Sequence, residues 1–507
     1  TASTCSIPRP FENPKKRCVL IQKTTEKHEN THGLHWAMAA VFIVGDMAGG
    51  GMIAMPNAVV NAGLIPGVIM ISLCAACSGY TGLQLASNWT MMQKRWPRYR
   101  DNCRKPYGEM AYRANGPRMR SFIGFMICLT QFGFATVLIL LASKNMAILL
   151  HFFFDIKINY CWLILIVGFV VWPATMLKSP MHFWQVAVFS ALSSSVAVCL
   201  LLIGFVHDAP VCGQDVPKRE FNLQNFFMAY GTMVFAFGGH AVFPTIQHDM
   251  KKPRLFARSV LVAYVFIVLY YMIIAVGGNL IYGATVGDAI IPSVQLQWVQ
   301  QAVNLMIALH VITTIVIVFS PMTQQIEELL RIPHHFGWQR FLVRSLLFWT
   351  IIFVALSLPN FGPLLDLIGA STMSIMTMIM PSIFFLFLNA SEIKREKLLK
   401  EGKITDGEYE DRATISDIFT YLPRRTLIIN GLSLTFGILG GLVSTIFSII
   451  KMGGADVSPP CYIQYIRQGG LPFVTPLAGT VNCCGTFRNI TVSSIDPIGF
   501  CAAYTAP

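Results

Sequence analysis

Long apolar runs, not alternation, set the pattern of this chain. Eleven stretches are apolar enough and long enough to cross a bilayer as helices: 34–62, 66–91, 121–150, 161–177, 183–206, 222–246, 259–281, 297–320, 341–359, 364–388 and 426–450. A hydrocarbon core about 30 Å thick takes about 20 helical residues, which each run approaches or exceeds. Two runs are interrupted by glycine and then proline: Gly49-Gly50-Gly51-Met-Ile-Ala-Met-Pro56 in the first, and Phe237-Gly238-Gly239-His240-Ala-Val-Phe-Pro244 in the sixth. An unpaired backbone N–H or C=O in hydrocarbon costs several kcal/mol, so a helix breaks at that depth only where protein or a water-filled cavity shelters the freed groups.

The broken runs each head a group of five. Because five is odd, the second group starts from the opposite side, and the expected fold is an all-α membrane protein with a five-plus-five inverted repeat and an eleventh helix outside it. Broken helices at matching places in two halves point to a midplane substrate site. Three glycines in a row also suit close helix packing, and both readings stay open. The expected organisation is a disordered cytoplasmic tail over 1–33, a membrane domain over 34–450 and an outer tail over 451–507. Pro106–Arg113 is expected as a short helix on the inner face, and the alternating charges of 391–412 as a solvated surface helix.

Composition agrees with the pattern. Hydrophobic residues make up 54% and charged residues 12% of the 507 residues, against about 25% charge in soluble domains. The net charge of +13 suggests nucleic acid only until its placement is followed. With the N-terminus inside, 31 of the 38 Lys and Arg residues fall on inner segments, a positive-inside arrangement. No cluster of basic and aromatic residues marks a nucleic-acid face. Of the 13 cysteines, Cys161, Cys212, Cys461, Cys483, Cys484 and Cys501 fall outside, where disulfides persist, with connectivity open. Asn489 heads the one outer glycosylation sequon, while the sequons at Asn88 and Asn389 sit at inner helix ends. No phosphate loop, metal-spaced His/Cys set or nucleophile elbow is present, so neither an enzyme nor a metal or organic cofactor is expected.

The motifs resemble those of the amino acid/auxin permease family, which includes vesicular, proton-coupled and sodium-coupled neutral amino acid transporters. The resemblance rests on residues 49–58, Pro106-Tyr-Gly-Glu-Met-Ala-Tyr-Arg113, Phe235–Pro244 followed by Asp249-Met-Lys-Lys-Pro253, Ser320–Glu327 and Leu358-Pro-Asn-Phe-Gly362, in family order. It implies a carrier that moves small neutral amino acids by alternating access, in the plasma membrane or an endolysosomal or vesicular one. The alternatives are a sodium-coupled symporter and a nutrient-sensing receptor built on the same fold.

Gly49, Gly50 and Gly51 are the expected cradle for a substrate carboxylate, at the positive end of a half-helix and with no Cβ in the way. Phe237, Gly238, Gly239 and His240 are the expected facing wall. Asp46 is an intramembrane carboxyl and so a candidate proton carrier; a hydrogen-bonding role at the helix end is the other reading. The resemblance puts Asn in this part of span 1 of sodium-coupled members, where this chain has Gly45 and Asp46, so the coupling ion is expected to be a proton, with sodium the alternative. His310, Thr313 and Thr314 share one turn of span 8 and can face span 1. Their hydroxyls are cation-ligand candidates, or they bond back to their own helix. His240 is either a proton relay or a donor to a freed carbonyl, and Gln131 and Thr136 are candidate cavity liners.

The basic-residue partition gives a direct expectation for topology. A cysteine introduced at residue 480 should label only from the outer side, and glycan should appear on Asn489 and not on Asn389. Labelling of residue 480 from the cytoplasmic side would contradict the eleven-span arrangement.

Overall fold

The computed structural model describes residues 29–30, 33–100, 103, 105–156, 158–176, 184–214, 216–333, 337–405, 412–453, 459–467, 481–482, 484 and 491–492. Helices occupy all eleven apolar stretches. Span 1 is Trp36–Met47 plus Gly50–Ala62, bent by 56° at the break; span 2 is Leu64–Arg95 and span 3 Pro117–Phe154. Span 4 is Tyr160–Val171, tightening to a 3-10 turn over Trp172–Met176; span 5 is Trp184–Cys212, and span 6 is Leu223–Ala236 plus Phe243–His248. Spans 7, 8 and 9 are Phe256–Tyr282, Gln297–Leu329 and Trp338–Ser357. Span 10 runs from Phe361 to Lys400 and span 11 is Arg424–Met452. Among the described residues eight helices are long and apolar enough to cross a bilayer uninterrupted, and the bent pair of span 1 makes a ninth.

Local sequence explains the ends of these helices. Gly63 alone joins spans 1 and 2, at φ 84°, a left-handed backbone that glycine adopts without a Cβ clash. Pro117 occupies the first turn of span 3, where its missing N–H leaves no helical bond unmade. Asn222 caps span 6 by accepting from the N–H groups of Gln224 and Asn225.

Packing follows the expected repeat. Span 1 packs on spans 5 and 7, and span 6 on spans 10 and 2; span 8 packs on span 5, and span 3 on span 10; spans 3 and 8 pack on each other. Adding five to each number turns the first relation of each pair into the second. Span 3 has 78% of its apolar window buried and span 11 only 28%, so the first lies inside the bundle and the second on its rim. Span 11 is accordingly inside out by soluble standards: Asn430, Ser433, Gly437, Gly441, Ser444 and Ser448 face protein, while Leu432, Leu439, Leu442, Ile446 and Ile449 are exposed. Apolar side chains gain nothing from leaving lipid, so the small polar residues take the interface.

Three expectations are refined. The inner helix forms over Pro106–Asn115. The charged run after residue 391 is no separate surface helix, because span 10 continues unbroken to Lys400. Asn30, inside the expected tail, is held against the exit of span 6: its N–H bonds the carbonyl of Lys251, and its side chain bonds those of His248 and Met250.

Four of the six cysteines expected on the outer side pair, Cys161 with Cys461 and Cys212 with Cys484; Cys483, Cys501 and Asn489 lie outside the described residues. The bridges do not staple the tail to itself. They fasten it to the start of span 4 and the end of span 5, with Tyr462 stacked on Phe353 of span 9. A protease site inserted between residues 453 and 461 should therefore leave the tail attached after cleavage until reductant is added. Release without reductant would contradict the pairing.

Candidate functional site

Both breaks are stitched by side chains from neighbouring spans. In span 1 the helix stops at Met47 and restarts at Gly50, which frees the last carbonyls of the first half. The hydroxyls of Ser190 and Ser194 in span 5 donate to Gly45 O and Ala48 O, the first at 2.8 Å, and the Tyr271 hydroxyl of span 7 lies 2.8 Å from Met47 O. The same hydroxyl lies 2.7 Å from Ala236 O, the end of the first half of span 6. One tyrosine thus touches both half-helix ends. Beyond Ala236 the chain leaves the helix at Phe237 and resumes at Phe243. His240 packs its ring on Phe243 at 4.7 Å and sets Nε2 2.9 Å from Ser78 O and 3.1 Å from Thr81 Oγ1 of span 2.

Between the breaks lies a cavity of about 10 Å³, room for about one water. Its walls are Asp46 of span 1, Thr130, Gln131 and Phe134 of span 3, Gly238 to Val242 of span 6, and Met373, Met376 and Thr377 of span 10. Four polar atoms from four different spans have no hydrogen-bond partner among the described residues: Asp46 Oδ1, Thr130 Oγ1, His240 Nδ1 and Thr377 Oγ1. All four belong to residues that line this cavity. Leaving one such atom unsatisfied costs about 1–3 kcal/mol, so a cluster of them marks a place built for something polar. The remaining walls are Gln131 and the apolar residues Phe134, Gly238, Gly239, Ala241, Val242, Met373 and Met376.

The expected residues divide around this cavity. Asp46, Gly238, Gly239, His240 and Gln131 line it. Phe237 stands behind the wall, stacked on Tyr264 and edge-on to Tyr271. The three glycines of span 1 each face a different neighbour: a Cβ on Gly49 would meet the His310 ring, one on Gly50 Leu141 at 3.1 Å, and one on Gly51 the Ala236 backbone at 2.5 Å. His310 reaches spans 1 and 5, its ring against Gly49 and its Nδ1 2.8 Å from both Ser190 Oγ and Ser194 Oγ, and Thr314 reaches Ser190 of span 5. Thr313 bonds back to Leu309 O and His310 O of its own helix, and Thr136 to Phe132 O.

Sequence reasoning missed Thr130, Phe134, Met373, Met376 and Thr377. It also passed over Asp366, buried in span 10, which accepts from Thr232 of span 6 at 2.5 Å. The rule that singled out Asp46, a carboxyl inside a membrane span, applies equally to Asp366. Nothing comparable flags the span 10 wall, whose helix is π-helical over Gly369–Met373 and Ile375–Ile379.

The family model described as "Transmembrane amino acid transporter protein" matches residues 32–402. Among curated Arabidopsis thaliana proteins, Amino acid transporter AVT1B is 29% identical over 195 residues, covering 38% of this chain and 35% of that protein. Amino acid transporter AVT1C is 25% identical over 359 residues (67% and 61%), and Lysine histidine transporter-like 6 is 26% identical over 387 residues (70% and 82%). The chain thus spans about a third and three-fifths of the length of the first two. MhsT, solved in complex with L-phenylalanine, aligns over 83% of this chain and 100% of its own at 10% identity and a TM-score of 0.47, too distant a likeness to build on.

The three glycines differ in what a methyl group would meet. Gly51→Ala presses on backbone and should lower stability by about 1–3 kcal/mol, whereas Gly50→Ala meets only the movable end of Leu141. Thermal unfolding of the purified variants in detergent checks this; equal effects would contradict the packing.

Proposed function

Because the chain belongs to the transmembrane amino acid transporter family, we propose that it is a secondary carrier of small neutral amino acids, working by alternating access with proton symport. The cluster of unpartnered Asp46, Thr130, His240 and Thr377 atoms around one cavity between the two breaks carries this reading. A zwitterion brings both a donor and an acceptor to such a place. Its ammonium group suits the carbonyls freed where span 6 breaks, and its carboxylate suits the N–H groups of the half-helix that restarts at Gly50. The side chain then meets Phe134, Met373 and Met376. Among the lining residues Asp46 is the one Asp, Glu, Lys or Arg, and with that carboxyl assigned to the proton the lining favours a neutral substrate side chain. The cavity holds far less than an amino acid, so loading requires the helices to part, and alternate parting on the two sides is alternating access.

Proton coupling draws support from the surroundings of spans 1, 5 and 8. The place where span 8 hydroxyls would join span 1 carbonyls around a cation is filled by the imidazole of His310, against Ser190, Ser194 and Gly49. Thr313 is turned back to its own helix. Asp46 Oδ1, with no hydrogen-bond partner among the described residues, is then the group a proton neutralises before the loaded site closes. A plasma membrane and an endolysosomal or vesicular membrane suit this chemistry equally.

In proteoliposomes the wild-type chain should accumulate small neutral amino acids against their gradient when a pH gradient is imposed. Asp46→Asn should abolish that accumulation and retain substrate exchange. Accumulation that follows a sodium gradient at constant pH and ignores protons would overturn the proton assignment.

A further inference from the structure

The wall of the cavity in span 10 is π-helical, and a side chain from outside the cavity bonds to its backbone. In a π-helix each carbonyl accepts from the N–H five residues on, not four. The Met380 N–H accordingly bonds Ile375 O. The next carbonyl, Met376 O, would then accept from residue 381, but Pro381 has no N–H. Its bond comes instead from the Tyr107 hydroxyl, which donates to Met376 O at 2.7 Å. Tyr107 belongs to the inner-face helix Pro106–Asn115, is 2% exposed, and packs edge-on against Phe384 of span 10.

The α register would satisfy different groups. Met376 O would take the Met380 N–H, and Pro381 would orphan Thr377 O. Pro381 therefore leaves one carbonyl unbonded in either register, and Tyr107 fills the one that belongs to the π form. Changing register turns side chains on one side of the change by about 100° relative to the other, one residue's share of a helical turn. Met373, Met376 and Thr377, which face the cavity together, would not keep that arrangement.

We propose that Tyr107 is a positioning residue that holds span 10 in the π register through Met376 O, and that this register sets which amino acid side chains the cavity accepts. The inference rests on the proposed substrate site only for its second half. The Tyr107 to Met376 bond and the missing Pro381 N–H stand without it. They also explain what the Pro-Tyr-Gly-Glu-Met-Ala-Tyr-Arg motif does, since its first tyrosine connects the inner face to the wall of the site.

The test is a double-mutant cycle in the full chain, read two ways. In proteoliposomes, Tyr107→Phe should change the ratio of uptake between a small and a large neutral amino acid, alanine and leucine, by about fivefold or more. In the Pro381→Ala background, where neither register has an orphaned carbonyl, the same substitution should change the ratio by less than about twofold. Thermal unfolding in detergent, which needs no transport, should show the same pattern: Tyr107→Phe lowers the melting temperature when Pro381 is present and leaves it unchanged in the Pro381→Ala background. Should Tyr107→Phe fail to fold alone, recovery of folded protein in the double variant gives the same answer. Equal effects in both backgrounds, or failure of the double variant to fold, would overturn the register. Coupling in melting temperature with no change in the uptake ratio would overturn the selectivity half. Absence of any amino acid uptake by the wild-type chain would count against the proposed function, and the melting cycle would still decide the register.

Discussion

Everything at the centre of this molecule depends on one constraint: in hydrocarbon, a backbone carbonyl released from a helix must find another donor. Span 1 and span 6 both release carbonyls at mid-helix, and the donors come from side chains on other spans. Ser190, Ser194 and Tyr271 serve span 1, and Tyr271 reaches span 6 as well. Span 10 meets the same problem in a subtler form at Met376, and Tyr107 answers it. These donors are spread over spans 5 and 7 and the helix Pro106–Asn115, so breaks that the local sequence places are held by the surrounding bundle.

The constraint also distinguishes buried polar groups that are bonded from those that are not. His310, Ser190 and Ser194 are buried yet mutually bonded. Asp46 Oδ1, Thr130 Oγ1, His240 Nδ1 and Thr377 Oγ1 are buried and unbonded among the described residues, and their residues share one cavity. A buried polar group without a partner costs stability, and four around a single small space are retained most simply where a ligand completes them.

The sequence made the architecture legible because membrane helices announce themselves by length and hydropathy, and because Gly-Gly-Gly before Pro56 and Gly-Gly before Pro244 leave few alternatives to a broken helix. Asp46, Gly238, Gly239 and His240, which line the cavity, were legible as candidates on the same grounds. The neighbours of Gly49, Gly50 and Gly51 were not, since which face of a half-helix meets His310, Leu141 or Ala236 is decided by the crossing of spans. Met373, Met376 and Thr377 look like ordinary span residues, and only a donor on a distant segment fixes their register. Disulfide connectivity was beyond reach because Cys161 and Cys461 are 300 residues apart and meet only in the folded bundle.

The central claim is that a zwitterion binds between the two breaks, completed by groups from spans 1, 3, 6 and 10. The most direct measurement is a density map of the full chain in lipid, prepared with a saturating neutral amino acid identified by uptake. Ligand density is expected within hydrogen-bond distance of Asp46, Thr130, His240 and Thr377, with the ligand side chain against Met373 and Met376. Ligand density elsewhere in the bundle, with those four side chains still unengaged, would contradict it.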